Sequence, residues 1–246
     1  MNRASPSPPL ALLPASAVGV GRLRRGPSRW LAVILVAWSL GAGNAGAEPA
    51  GQKPVRSGKP GNFFQAAGNL PVDVQRVLVL PLTCEKQRSE LVAGCEALEL
   101  VVQAELAKTR KFEVIKASPT TLRSHTGRAS WSAEEALPPK FFATLREAYG
   151  CDAVLFCHLT EFKAYAPLSV GWRLRLVDTR SQQTLWASDE VFDAARADTL
   201  AGVRRFERRQ NRVAFLAKPQ DWMALHSPRR FGEFALATVL ATLPER

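Results

Sequence analysis

The segment that most restricts what this chain can fold into is "WRLRLVDTRSQQTLWASDEVFDA", residues 172–194. Trp172, Leu174 and Leu176 alternate with Arg173 and Arg175, the period of a strand with one covered face and one partly solvated face. A second such stretch opens on Leu185-Trp186, so the chain must reverse between Asp178 and Gln183. Aspartate suits such a corner because its carboxylate accepts bonds from nearby backbone N–H groups. Asp178 is therefore read as a turn residue, in a hairpin of strands 170–178 and 184–192.

The elements before this hairpin alternate in type. "QRVLVLPL", residues 75–82, is β-branched and aliphatic and ends near Pro81, as a buried strand does. In "LELVVQAELAK", Leu98, Val101, Val102 and Leu106 recur at helical spacing with charges between them. "KFEVIKA", residues 111–117, reads as a second strand, and residues 118–137 as loop or short helix. Pro138-Pro139 opens a helix whose stripe is Phe141, Phe142, Leu145, Ala148 and Tyr149, closed by Gly150. "DAVLFCHLTEFKA" follows as the third strand. Residues 195–217 read as a helix with Val203, Phe206, Val213 and Leu216 inward. The last apolar segment, about 13 residues before Pro244, suits a helix buried on the sheet or at a partner surface. The expected fold is α/β, a mixed sheet of about five strands flanked by helices.

The start of the chain carries a different message. Arg22, Arg24, Arg25 and Arg29 precede "WLAVILVAWSL", and small residues then lead to Ala45-Gly46-Ala47. A positive region, a short apolar core and an A-x-A site predict a secretory signal peptide, cleaved near Ala47. An apolar core of about ten residues falls short of the roughly 20 needed to span a bilayer. Residues 1–47 are thus expected to be a signal peptide with an N-terminal extension, and 48–70 a flexible, Gly/Pro/Lys-rich lead-in in which Phe63-Phe64 docks onto the domain. Residues 71–193 form the α/β domain and 194–246 a helical part packed on it. The mature chain is expected in the periplasm or outside the cell, without a transmembrane span. No cysteine lies near the cleavage point, so a lipid-anchored form is not expected.

The formal charge of +11 first suggests a nucleic-acid partner. Residues 1–47 hold five of the basic residues and no acid, and residues 196–230 hold nine basic and three acidic residues. The rest is neutral overall, and export with no interleaved aromatics argues against nucleic acid. Arg204, Arg205, Arg208, Arg209 and Arg212 are the partner-binding candidates, either a solvated helix face or a dock for an acidic envelope protein or anionic envelope surface.

Four cysteines in an exported chain raise the question of disulfides. Cys84 and Cys95 are spaced to close a small loop and are the disulfide candidate. Cys151 and Cys157, about 20 Å apart if extended in one strand, are too far apart to bond. Neither spacing makes a zinc pair, and His125, His158 and His226 form no ligand pattern, so no metal and no cofactor is expected. Cys157 and His158, adjacent in a strand, face opposite ways and form no nucleophile–base pair. A catalytic site is not expected. The alternative is a periplasmic hydrolase or ligand-binding protein with a cleft near His158 and Asp178.

Three stretches stand in the right order for a resemblance. "KFEVIKA", "GCDAVLFCHL" and "WRLRLVDTRSQQTLWA" resemble the envelope family that includes the CsgG-like domain, LpoB and the TolB amino-terminal domain, over about residues 72–192. The resemblance implies an anticodon-binding-domain-like sheet and a non-enzymatic role in envelope assembly, secretion or regulation of a wall enzyme, through protein contacts. A homo-oligomer is a further reading of its partners. Two departures stand out. The short 164–171 connection leaves no room for the long membrane hairpins of a CsgG-like pore, and Ser181-Gln182 replaces the family's turn glycine.

Overall fold

The computed structural model describes residues 60–210 and 222–246; the expected signal peptide, most of the expected lead-in, and Arg212, Val213 and Leu216 lie outside the described residues. The strands are β1 Phe63–Gln65, β2 Arg76–Val79, β3 Thr83–Cys84, β4 Glu113–Lys116, β5 Ala153–Lys163, β6 Ser169–Asp178 and β7 Thr184–Asp193. The helices are α1 Ser89–Thr109, α2 Pro119–Thr126, α3 Phe141–Tyr149, α4 Ala197–Gln210 and α5 Pro228–Leu240, with a 3-10 turn at Met223–Leu225. One mixed sheet runs β1-β7-β6-β5-β2-β4, and β3 also pairs with β5. β2 lies parallel to both β4 and β5, whereas β5, β6, β7 and β1 pair antiparallel. The chain is an α/β fold with a mixed sheet flanked by helices.

The first strand is shorter than its apolar run suggests. Pro81 lacks the N–H that a continuing ladder needs, and pairing with β5 breaks between β2, opposite Ala153–Leu155, and β3, opposite His158 and Leu159. Residues 63–65, inside the stretch whose composition marks a lead-in, pair with Trp186–Ser188 of β7. Main-chain pairing decides this, and composition does not report it.

Both faces of the central strands are buried, against different helices. Val77, Val79, Leu155, Leu159, Trp172, Leu174, Leu176 and Trp186 pack with Leu98, Val101 and Val102 of α1 and with Phe231, Phe234 and Leu236 of α5. Leu78, Leu80, Val154, Phe156 and Val177 pack with Leu122 of α2, Trp131, and Phe141 and Leu145 of α3. The period of two sends alternate residues to opposite layers. Close approach of α1 to the sheet depends on Gly94, where an added Cβ would lie 2.5 Å from Phe162 Cγ and 2.8 Å from Leu159 Cδ2. Gly150 ends α3 at φ 61°, its N–H donating to the Arg146 carbonyl at 2.8 Å.

α4 is fastened to the 3-10 turn and to α5. The Ala224 N–H donates to the buried Glu207 carboxylate at 3.0 Å. Arg230 of α5 lies over the Phe206 ring at 5.2 Å and pairs with Glu233 at 2.6 Å. Among the described residues no helix is long and apolar enough to cross a membrane.

Candidate functional site

The hairpin corner is a closed knot of hydrogen bonds. Asp178 Oδ1 accepts from the Arg180 N–H at 2.9 Å, the Ser181 N–H at 2.6 Å and the Ser181 hydroxyl at 3.0 Å. The Asp178 and Gln182 N–H groups donate to the Gln183 and Asp178 carbonyls. With its carboxylate so engaged and the residue 7% exposed, Asp178 holds a turn. Gln182 adopts φ 59°, a conformation that favours the glycine missing here.

His158 is not part of the same place. It lies opposite Arg173 in the β5–β6 register, whereas Asp178 lies opposite Ala153. Five residues of strand separate the two, about 17 Å, and no cavity lined by the described residues holds both His158 and Asp178. That expectation is corrected: pairing along one long ladder sets the two residues apart.

His158 has neighbours that the sequence did not suggest. Its Nδ1 lies 2.9 Å from Thr83 Oγ1, and the same hydroxyl donates to the Cys157 carbonyl at 3.0 Å. With the hydroxyl proton so placed, Nδ1–H donates to Thr83 and the pair fastens β3 to β5. Burial pushes the His158 pKa below its ordinary value; the carboxylates of Glu134, Asp189 and Glu135 pull it up, and Arg173 pushes it further down. The cavity beside it, bounded by Thr83, Glu134 and Arg173, measures about 10 Å³, room for one water and for no substrate. Arg173 bridges Asp189, at 2.7 Å, and Glu134 of the 131–137 loop. This pairing depends on a loop 39 residues away in sequence, and only the alternation of Arg173 with Arg175 hinted at that face.

Cys84 and Cys95 are free thiols, each partly buried. Burial, reinforced by Cys84 and then by Glu99 and Glu96, pushes the Cys95 thiol well up, so it is not a ready nucleophile. Burial also raises Cys151, to about 11, and Cys157 further. Among the described residues no three His, Cys, Asp or Glu side chains converge on a point where a metal ion would sit.

The arginine helix borders an open groove. On α4, Val203 and Glu207 are buried, Arg204, Arg205 and Arg209 are exposed, and Arg208 is half-buried. Arg205 and Arg209 border a groove of about 450 Å³ formed by β1, α4 and the end of α5. Its floor is apolar, with Phe63, Phe206, Ala237 and Ala241; Gln65, Thr238 and Thr242 supply polar atoms. Among the described residues no acidic side chain lines it. Arg204 and Arg208 stand outside the lining, so among the four described candidates the structure brings Arg205 and Arg209 together. The groove also recruits Phe63 from the lead-in and the apolar terminal helix. Long-range packing unites them, and no local pattern announces it.

No family model matches the chain, and no curated protein matches it. Solved structures are similar to it. The PelC dodecamer from Paraburkholderia phytofirmans is 12% identical and matches 75% of this chain and 96% of that one, with a TM-score of 0.44. Lipoprotein GNA1162 from Neisseria meningitidis is 22% identical over 57% of this chain and 99% of that one, with a TM-score of 0.39. LpoB from E. coli, solved by NMR, is 15% identical over 77% and 96%, with a TM-score of 0.35. LpoB is one of the proteins that the sequence motifs resemble.

Proposed function

We propose that the chain is an exported, non-catalytic envelope protein that acts through protein–protein contacts in assembly, secretion or regulation of an envelope machine. The observation that carries this reading is the groove between β1, α4 and α5, where Arg205 and Arg209 flank an apolar floor with no acidic side chain among the described residues. Such a surface has the make-up of a recognition site, an apolar centre with charge at its rim. The targeting pattern that ends at Ala47 supports export to the compartment where such a partner would be met. A hydrolase reading has less to draw on, because the Thr83 hydroxyl paired with His158 faces a space of about 10 Å³.

The test is crosslinking in living cells with the tagged full-length chain, followed by mass spectrometry of what is attached. One dominant foreign envelope protein is expected. Charge reversal at Arg204, Arg205 and Arg209 should abolish its retention while leaving the folded protein at normal abundance. Unchanged retention refutes the arginine part of the proposal, and self-crosslinks alone would replace it with a homo-oligomer.

A further inference from the structure

We propose that the open edge of β1 accepts an extended, acidic segment of a partner protein, which lengthens the sheet by one strand. The proposal rests on reading the groove as the contact surface, and it names what enters.

β1 is an end strand of the sheet, and among the described residues it pairs only with β7. Phe64 lies opposite Ala187, the Ala66 N–H donates to the Leu185 carbonyl at 3.0 Å, and the Asp189 N–H donates to the Asn62 carbonyl at 3.1 Å. Residues 62, 64 and 66 therefore turn their main-chain groups toward β7. In an antiparallel pair the residues between them turn the other way, so Phe63 and Gln65 present two N–H and two C=O groups to the outside. No main-chain partner for these four groups occurs among the described residues. A row of unpaired main-chain donors and acceptors is a template for another strand.

The side chains of the same two residues line the groove. A strand laid beside Phe63–Gln65 would send every second side chain over that same face, at intervals of about 6.7 Å. Arg205 and Arg209 are one helical step of four apart, about 6 Å along α4. An added strand that runs along α4 would hold carboxylates at alternate positions at nearly that interval. Each contact is a charge-assisted bond, to which arginine's fork is suited. The apolar floor of Phe63, 44% exposed, and Phe206 then takes the stems of those side chains. Charge selects acidic residues, and the open edge selects an extended backbone.

The experiment is selection of random heptapeptides displayed on phage against the purified full-length chain, and in parallel against its Arg205→Glu/Arg209→Glu variant. The expected result is enrichment of Asp and Glu at alternate positions on the unchanged protein, lost on the variant. A selected peptide with N-methyl groups on the amides that face Phe63 and Gln65 should bind at least about tenfold more weakly. Circular dichroism of the variant checks that it is folded. Absence of acidic enrichment, acids at three- and four-residue spacing, or undiminished binding of the N-methylated peptide each overturns the proposal. Arginine-dependent binding to phosphatidylglycerol vesicles without peptide enrichment overturns it in favour of a lipid headgroup. If the in-cell crosslinks still find one partner while the peptides fail, the contact surface stands and the strand does not.

Discussion

Replacing Asp178 with alanine isolates the corner of the long hairpin. The substitution removes three bonds to one buried carboxylate oxygen, from the Arg180 N–H, the Ser181 N–H and the Ser181 hydroxyl. Bonds to a charged acceptor contribute about 1.5–3 kcal/mol each, which would set the loss above about 4 kcal/mol. Arg180 and Ser181 are themselves exposed, however, so their freed donors regain water and much of that sum is returned. The expected net cost is about 2–3 kcal/mol, or roughly 5–10 °C in Tm for a domain of this size. Asp178→Asn keeps one acceptor oxygen and should cost about half as much. Gln182→Gly should act with the opposite sign: Gln182 sits at φ 59°, and glycine there relieves about 1 kcal/mol. Urea unfolding followed by the fluorescence of buried Trp172 and Trp186 measures all three, with the slope m unchanged if only stability moves. An Asp178→Ala protein within about 0.5 kcal/mol of the parent would refute the knot as the reason for this aspartate.

Other parts of the fold make their own predictions. Oxidation of Cys84 with Cys95 would close a short loop and should add about 3 kcal/mol in the chain-entropy model; chain purified from an oxidising compartment should weigh two hydrogens less than its reduced form and melt higher, and equal melting points would argue against it. Gly94→Ala forces a Cβ to within 2.5 Å of the Phe162 ring and should cost a net of about 1–2 kcal/mol despite better helix propensity, seen as a lower Tm. The His158 pKa is lowered in the folded state, chiefly by burial. The unfolded chain therefore takes up a proton first, and stability falls as pH drops below about 6.5. His158→Gln should remove that part of the pH dependence, and an identical pH profile for both proteins would contradict it.

Local periodicity was enough to read most of the elements. The alternation of Trp172, Leu174 and Leu176 with two arginines identified β6 and its buried face, because a strand's period of two is a local property. Asp178 was readable as a corner for the same reason: its bonds reach only two or three residues along the chain. The helical stripe of α1 and the glycine that ends α3 were equally local signals. What the amino-acid order could not convey is which distant segments share a surface. Phe63 reaches the groove because β1 pairs with Trp186–Ser188, more than 120 residues on, and Ala237 and Thr242 reach it because α5 packs on the sheet's α1 face. The separation of His158 from Asp178 likewise came from a ladder register that is set by pairing. Secondary structure follows from periods within a few residues. The groove, and the presence of Arg205 and Arg209 at its border, follows from closure of contacts between residues far apart in the chain, and only the packed tertiary structure decides those.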